Sequence, residues 1–116
     1  MPDAAPASLF MLETVRTGDE VVVRCRGKLV AGVTSVLYNE VSQLIPASKR
    51  VVLDLSELTH MDSMGLGTVV RLYVSSKSGG CTLELIHLGP RIRQLLGMTN
   101  LLAVFSTVGE SGITYM

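Results

Sequence analysis

The sequence predicts an α/β fold, a mixed β-sheet of four to five strands with helical crossovers packed on it. An almost continuous apolar run at residues 51–55 is typical of a central strand that is covered on both faces. Two segments, one after Gly27 and one from Ser63, repeat apolar residues at three- and four-residue steps, as amphipathic helices do. The resulting order, β-β-α-β-α-β-α-β, indicates parallel strands joined through helices.

The first two strands are expected at residues 9–16 and 20–26, joined by a turn at Thr17-Gly18-Asp19. In the second strand Val21, Val23 and Cys25 share one face. The first helix follows Gly27 and has the apolar face Val30, Val33, Leu37, Val41 and Leu44. Pro46 should end this helix, because a proline disfavours the helical conformation of the residue before it.

The second helix should span residues 63–77 and stop at Gly79-Gly80. Its predicted buried residues are Leu66, Val69, Val70 and Tyr73. A strand at 81–88, a short helix that starts at Pro90 and stops at Gly97, and a strand at 103–107 complete the order. We expect one domain over residues 9–110, between a flexible N-terminal tail, 1–8, and a C-terminal tail, 111–116.

Composition narrows the function classes. The 116 residues carry ten basic and ten acidic side chains, which argues against direct nucleic-acid binding or attraction to an anionic membrane. The longest uncharged stretch, 94–109, is shorter than the ~20 apolar residues of a membrane span, and the N-terminus does not resemble a signal peptide. We therefore expect a cytoplasmic protein without membrane insertion, and Cys25 and Cys81 as buried, reduced thiols without a metal site or cofactor.

The most informative segment is Asp62-Ser63-Met64-Gly65-Leu66-Gly67, where a strand gives way to a helix. A phosphate on Ser63 would lie at a helix N-terminus, where unpaired N–H groups and the helix dipole tolerate an anion. Alternatively, Asp62 or Ser63 caps the helix, and Asp62 can cap while Ser63 points outward. Gly65 and Gly67 fit either close approach by a partner backbone or tight packing on the sheet.

Together with Gly27-Lys28-Leu29 before the first helix, this segment and the element order resemble the STAS domain, most closely the stand-alone bacterial anti-sigma factor antagonists. The resemblance covers residues 9 to 109. It implies a non-enzymatic partner switch in which the unmodified protein binds an anti-sigma factor that is also a serine kinase, so that a sigma factor is released. It further implies phosphorylation at Ser63, which ends binding, and a metal-dependent serine phosphatase that resets the switch.

The expected partner surface comprises the start of the first helix, the loop before the second helix, and the beginning of that helix. These residues are Gly27, Lys28, Leu29, Val30, Ala31, Thr59, His60, Met61, Asp62, Ser63, Met64, Gly65 and Leu66. Two of them depart from the family pattern. Met64 replaces a small hydroxyl residue and Val30 replaces an acidic residue, and both bear on partner choice more than on the switch.

Other candidates carry structural interpretations. His60 and His87 lack a neighbouring nucleophile pattern, and Asp54 needs a polar partner within its buried strand. Arg71, Arg91 and Arg93 are interpreted as surface charges, with rim contacts to an acidic partner as the alternative. A second function class stays open: an accessory subunit of a lipid or anion transport complex, docked on the same face without phosphorylation. A weak homodimer also stays open.

Overall fold

The computed structural model describes residues 10–98 and the backbone of Ile113–Thr114. In chain order the elements are β1 (Phe10–Thr17), β2 (Glu20–Leu29), α1 (Thr34–Leu44), a 3-10 turn (Ile45–Ala47), β3 (Arg50–Met61), α2 (Ser63–Ser78), β4 (Thr82–Ile86), α3 (Pro90–Met98) and β5 (Ile113–Thr114). The strands lie side by side in sequence order. β1 is antiparallel to β2 and each later pair is parallel, which confirms the predicted α/β class and mixed sheet.

The core lies where the apolar face of the sheet meets the helices. Val23, Leu53 and Leu85, on three neighbouring strands, are at most 1% exposed. From the helices, Leu37 of α1 and Leu72 of α2 are fully buried against them. Burying such a side chain stabilises the fold by about 1.5–3 kcal/mol. The core therefore stabilises the sheet that positions the residues at its ends. Cys25 and Cys81 are buried free thiols, as predicted, and burial raises the pKa of Cys25 to about 12.

The β1–β2 turn is built as the sequence suggests, with Gly18 at a φ of 64°. β2, however, runs three residues further than predicted, to Leu29, and α1 begins only at Thr34. The prediction that residues from Gly27 to Ala31 start the first helix is therefore wrong. Gly32 explains the late start, because its φ of 98° is incompatible with a right-handed helix.

β3 is also longer than predicted. The apolar run suggested an end at Leu55, followed by a loop that included Thr59 and His60, but the strand continues to Met61. Its polar second half pairs with the end of β2, where Lys28 lies opposite His60 and Leu29 opposite Met61. Hydrogen bonding to a neighbouring strand, rather than side-chain hydrophobicity, extends β3.

Three smaller differences concern the C-terminal half. β4 ends at Ile86 instead of reaching residue 88, because His87 adopts a φ of 59°. Gly97 lies inside α3 rather than terminating it. Val70, which was predicted to be buried, is half-buried, and Leu72, which was not predicted, is fully buried in the core. The strand predicted at 103–107 lies outside the described residues. Residues 113–114, within the predicted tail 111–116, pair with β4.

Candidate functional site

Ser63 is the first residue of α2, directly after the end of β3. Its side chain is exposed, and among residues 10–98 its hydroxyl has no hydrogen-bond partner. The hydroxyl is therefore accessible from solvent at the helix N-terminus. It is free to act as an acceptor of a transferred group.

Asp62 holds the N-terminus of α2. Its Oδ1 accepts a hydrogen bond from the Gly65 N–H at 2.9 Å, and its Oδ2 accepts one from the Ala31 N–H at 2.9 Å. These N–H groups hold the pKa of Asp62 below its usual range, with the Ala31 N–H contributing most. Asp62 is the cap, and within residues 10–98 the Ser63 hydroxyl beside it makes no hydrogen bond.

The same aspartate connects two parts of the chain that are 31 residues apart. Besides the bond to Ala31, the Asp62 N–H donates to the Leu29 carbonyl at 3.3 Å. The segment after β2 and the segment after β3 are thus joined at one end of the sheet. The two stretches predicted for the partner surface are brought together there.

Gly65 is required by internal packing. A Cβ atom at this position would lie 2.2 Å from the Leu29 carbonyl oxygen and 2.9 Å from Leu29 Cγ. Of the two explanations for this glycine, tight packing on the sheet is therefore the one that the contacts support. Gly67 differs, because a Cβ there would meet no atom within 4 Å.

Burial divides the predicted partner surface. The exposed residues are Lys28, Ala31, Thr59, His60, Ser63 and Met64, and the half-buried residues are Gly27, Val30, Met61 and Asp62. Leu29, Gly65 and Leu66 are buried instead, so they support the surface from beneath and cannot contact a partner directly. Met64 stands out at 57% exposure, a large apolar side chain next to the free hydroxyl.

His60 belongs to a chain of polar contacts across the ends of the strands. Thr59 Oγ1 donates to the Gly27 carbonyl at 3.0 Å, and His60 Nδ1 lies 2.9 Å from Thr59 Oγ1. On the other side of the ring, Arg91 Nη1 lies 3.5 Å from His60 Nε2. Both ring nitrogens of His60 therefore have a polar neighbour, Thr59 Oγ1 on one edge and Arg91 Nη1 on the other.

Asp54 and His87 belong to a second cluster of polar side chains, separate from the N-terminus of α2. Asp54 is 5% exposed, and its Oδ1 accepts the Ser56 N–H at 3.0 Å and lies 3.0 Å from His87 Nδ1. Arg24 Nε is 3.5 Å from the other oxygen. Burial acts to raise the pKa of Asp54, but the hydrogen bonds from Ser56 and His87 outweigh it and the pKa is lowered. This network satisfies a buried charge, as expected of a structural carboxylate.

Two kinds of feature are absent from the described residues, a metal-binding cluster and a membrane-spanning helix. These residues contain no group of three or more His, Cys, Asp or Glu side chains arranged to hold a metal ion. None of the helices in that part of the chain combines the length and the apolar character needed to cross a bilayer. This end of the sheet carries the exposed Ser63 hydroxyl, the exposed Met64 side chain and polar side chains around them.

Residues 11–111 match the family model of the STAS domain. The chain belongs to the STAS domain family. Its structural neighbours include the anti-sigma factor antagonist SpoIIAA in its unphosphorylated form, at 22% identity and a TM-score of 0.71, with 92% of this chain and 87% of that chain covered. A putative anti-sigma factor antagonist from Thermotoga maritima aligns at 21% identity and a TM-score of 0.77, covering 91% and 86%.

A third neighbour of this STAS domain comes from another class of protein. It is a sulfate transporter family protein from Wolinella succinogenes, with 17% identity, a TM-score of 0.72, and coverage of 87% of this chain and 80% of that chain. At these identities the likeness concerns the fold.

Sequence reasoning missed two features of the site. The hydrogen bond from Ala31 to Asp62 joins residues far apart in the chain, and only the pairing of β2 with β3 makes it foreseeable. The contact between Arg91 and His60 depends on where α3 begins relative to β3. Neither has a signal in local composition.

Proposed function

We propose that this STAS domain is an anti-sigma factor antagonist that works as a partner switch. In its unphosphorylated form it binds an anti-sigma factor that is also a serine kinase, which releases a sigma factor. Phosphorylation of Ser63 ends that binding, and a metal-dependent serine phosphatase restores it. The single observation behind this is the exposed, unbonded Ser63 hydroxyl beside a capping residue that is already engaged.

The cap explains why a phosphate would act on the partner rather than on the fold. Asp62 already uses both carboxylate oxygens on the N–H groups of Gly65 and Ala31. A phosphate on Ser63, with about −1.5 to −2 charges, would therefore be directed away from those amides and repelled by the Asp62 carboxylate. Its charge is then presented at the surface, outside the helix cap.

The partner would then meet both an apolar anchor and a charge. Met64 is exposed beside Ser63 and offers apolar surface for a contact. Burying a doubly charged phosphate next to such a contact costs several kcal/mol unless cations meet it, and ~1.4 kcal/mol already changes affinity tenfold. Binding is lost while the domain stays folded. The domain itself acts through binding in the cytoplasm and catalyses no reaction.

The proposal is tested by incubating the protein with ATP and the candidate anti-sigma factor kinase encoded beside its gene. We expect mass spectrometry to map one phosphate to Ser63, and we expect none on a Ser63→Ala variant. Ser63→Asp should bind the kinase at least tenfold more weakly than the parent while its unfolding curve is unchanged. Labelling elsewhere, or equal affinity of parent and Ser63→Asp, contradicts the proposal.

A second candidate is an accessory subunit of a lipid or anion transport complex, which the likeness to the Wolinella succinogenes transporter family protein favours. In that role the same face would dock permanently and Ser63 would stay unmodified. Co-purification with a membrane ATPase or permease, unaffected by Ser63→Asp, would support this candidate over the switch.

A further inference from the structure

Three exposed basic side chains lie together at the end of the sheet: Lys28 of β2, His60 of β3 and Arg91 of α3. Lys28 and His60 are register partners on neighbouring parallel strands, so their side chains lie next to each other. Arg91 Nη1 approaches the His60 ring to 3.5 Å. We call these residues the basic patch.

The positive charge of the basic patch is not neutralised by the described part of the chain. Within residues 10–98 neither Lys28 nor Arg91 has a carboxylate within ion-pair distance. The nearby acidic groups are engaged elsewhere, because Glu57 pairs with Arg26 at 2.6 Å and Asp62 accepts the two backbone N–H groups. A chain with ten basic and ten acidic residues thus presents a local excess of positive charge.

This excess lies close to the switch residue. His60 and Ser63 are three positions apart, and at ~3.3 Å per residue the extended backbone places their Cα atoms no more than about 10 Å from each other. Lysine and arginine side chains are long and flexible enough to cover part of that distance. A phosphate on Ser63 would be a strong ligand for both of them.

We propose that the basic patch docks an acidic surface of the protein partner, and that phosphoserine at position 63 binds the same cations and so withdraws them from that partner. Met64, 57% exposed, supplies the apolar contact beside them. The inference rests on the proposed switch and adds its electrostatic cause: the phosphate replaces the partner's carboxylates. Complementary charge of this kind accelerates association and makes it sensitive to salt.

The first test requires no kinase. Phosphoserine is incorporated at position 63 during translation, and the second phosphate ionisation is followed by ³¹P NMR. We expect its midpoint below the usual value of about 6, and a return toward that value in a Lys28→Gln/Arg91→Gln variant. Lys49→Gln, at the opposite end of β3, is the matched control and should leave the midpoint unchanged. Equal midpoints in the parent and the double variant overturn the inference.

The second test measures binding of the unphosphorylated protein to the candidate anti-sigma factor kinase. Lys28→Glu/Arg91→Glu should weaken binding at least tenfold at low salt and flatten its salt dependence, whereas Lys49→Glu should not. If the double variant binds like the parent while Ser63→Asp does not bind, the switch stands and the basic patch is refuted. If the parent itself does not bind, the proposed function fails, and the ³¹P midpoints alone decide whether the cations hold the phosphate.

Discussion

The connections β2–α1 and β3–α2 lie side by side at one end of the sheet and are built in opposite ways. The β3–α2 connection is a single residue, Asp62, whose side chain caps the helix. The β2–α1 connection spans residues 30–33 and includes Gly32 at a φ of 98°. Its last residue, Val33, is the N-cap of α1 and makes no side-chain capping bond. The first connection is held by the second through the bond from Ala31 to Asp62. The two connections are therefore joined through the carboxylate of Asp62, one residue before Ser63.

The largest effect is expected in the first turn of α2, directly after the β3–α2 connection, where Gly65 packs tightly against Leu29. Gly65→Ala should lower the free energy of unfolding by about 3 kcal/mol, because the new Cβ would overlap the Leu29 carbonyl. Gly67→Ala is the matched control on the same helix, where a Cβ meets no atom within 4 Å. In Gly67→Ala the free energy of unfolding should rise by about 0.5–1 kcal/mol, because alanine favours the helix more than glycine does. Urea unfolding of both variants measures the contrast, and equal stabilities would refute it.

The second-largest effect is expected when the Asp62 carboxylate, which joins the two connections, is removed. Asp62→Ala should lower the free energy of unfolding by about 1–2 kcal/mol, since it deletes the cap. The folded pKa of Asp62 is lowered, so its contribution is complete above the unfolded value of about 3.9 and disappears as pH falls through the folded pKa. The deficit of Asp62→Ala relative to the parent should therefore shrink in acid.

The control for this experiment is Glu13→Ala, which removes an exposed carboxylate that pairs with Arg24 at 3.7 Å. It should change stability by less than about 1 kcal/mol. A deficit of Asp62→Ala that stayed constant down to the lowest pH would contradict the assigned role of the carboxylate.

The β2–α1 connection should be sensitive to substitution at Gly32. Gly32→Ala should lower the free energy of unfolding by about 1 kcal/mol, because a φ of 98° is unfavourable for a residue with a Cβ. Steric overlap does not contribute, since a Cβ at this position would meet no atom within 4 Å. Amide hydrogen exchange is expected to show faster opening confined to residues 30–36. Exchange that spreads equally into α2 would mean that the two connections are not separable.

The smallest effect on stability is expected at Met64. Met64→Ser should change the free energy of unfolding by less than about 0.5 kcal/mol, yet weaken partner binding by roughly tenfold. Val74→Ser is the matched control, because Val74 is 58% exposed on the same helix and lies three turns further from Ser63. Calorimetric titration against the partner would measure both, and equal losses would remove Met64 from the contact.

The α/β class, the mixed sheet and Ser63 as the first helical residue were predictable from local signals. Apolar periodicity marks α2, and an aspartate before it marks the cap. The polar half of β3, Glu57 to Met61, was not predictable, because its strand conformation comes from pairing with β2 and not from its own side chains. The positive φ of His87 and the burial of Leu29 likewise had no local signal in the sequence.

The β1–β2 turn at Gly18 has a practical consequence. It lies at the start of β3, since Glu20 is the register partner of Arg50, whereas Ser63 follows the other end of that twelve-residue strand. At ~3.3 Å per residue the two places are on the order of 40 Å apart. A fluorescent dye attached to the hairpin tip would thus report complex formation through slower molecular tumbling without obstructing the proposed partner surface.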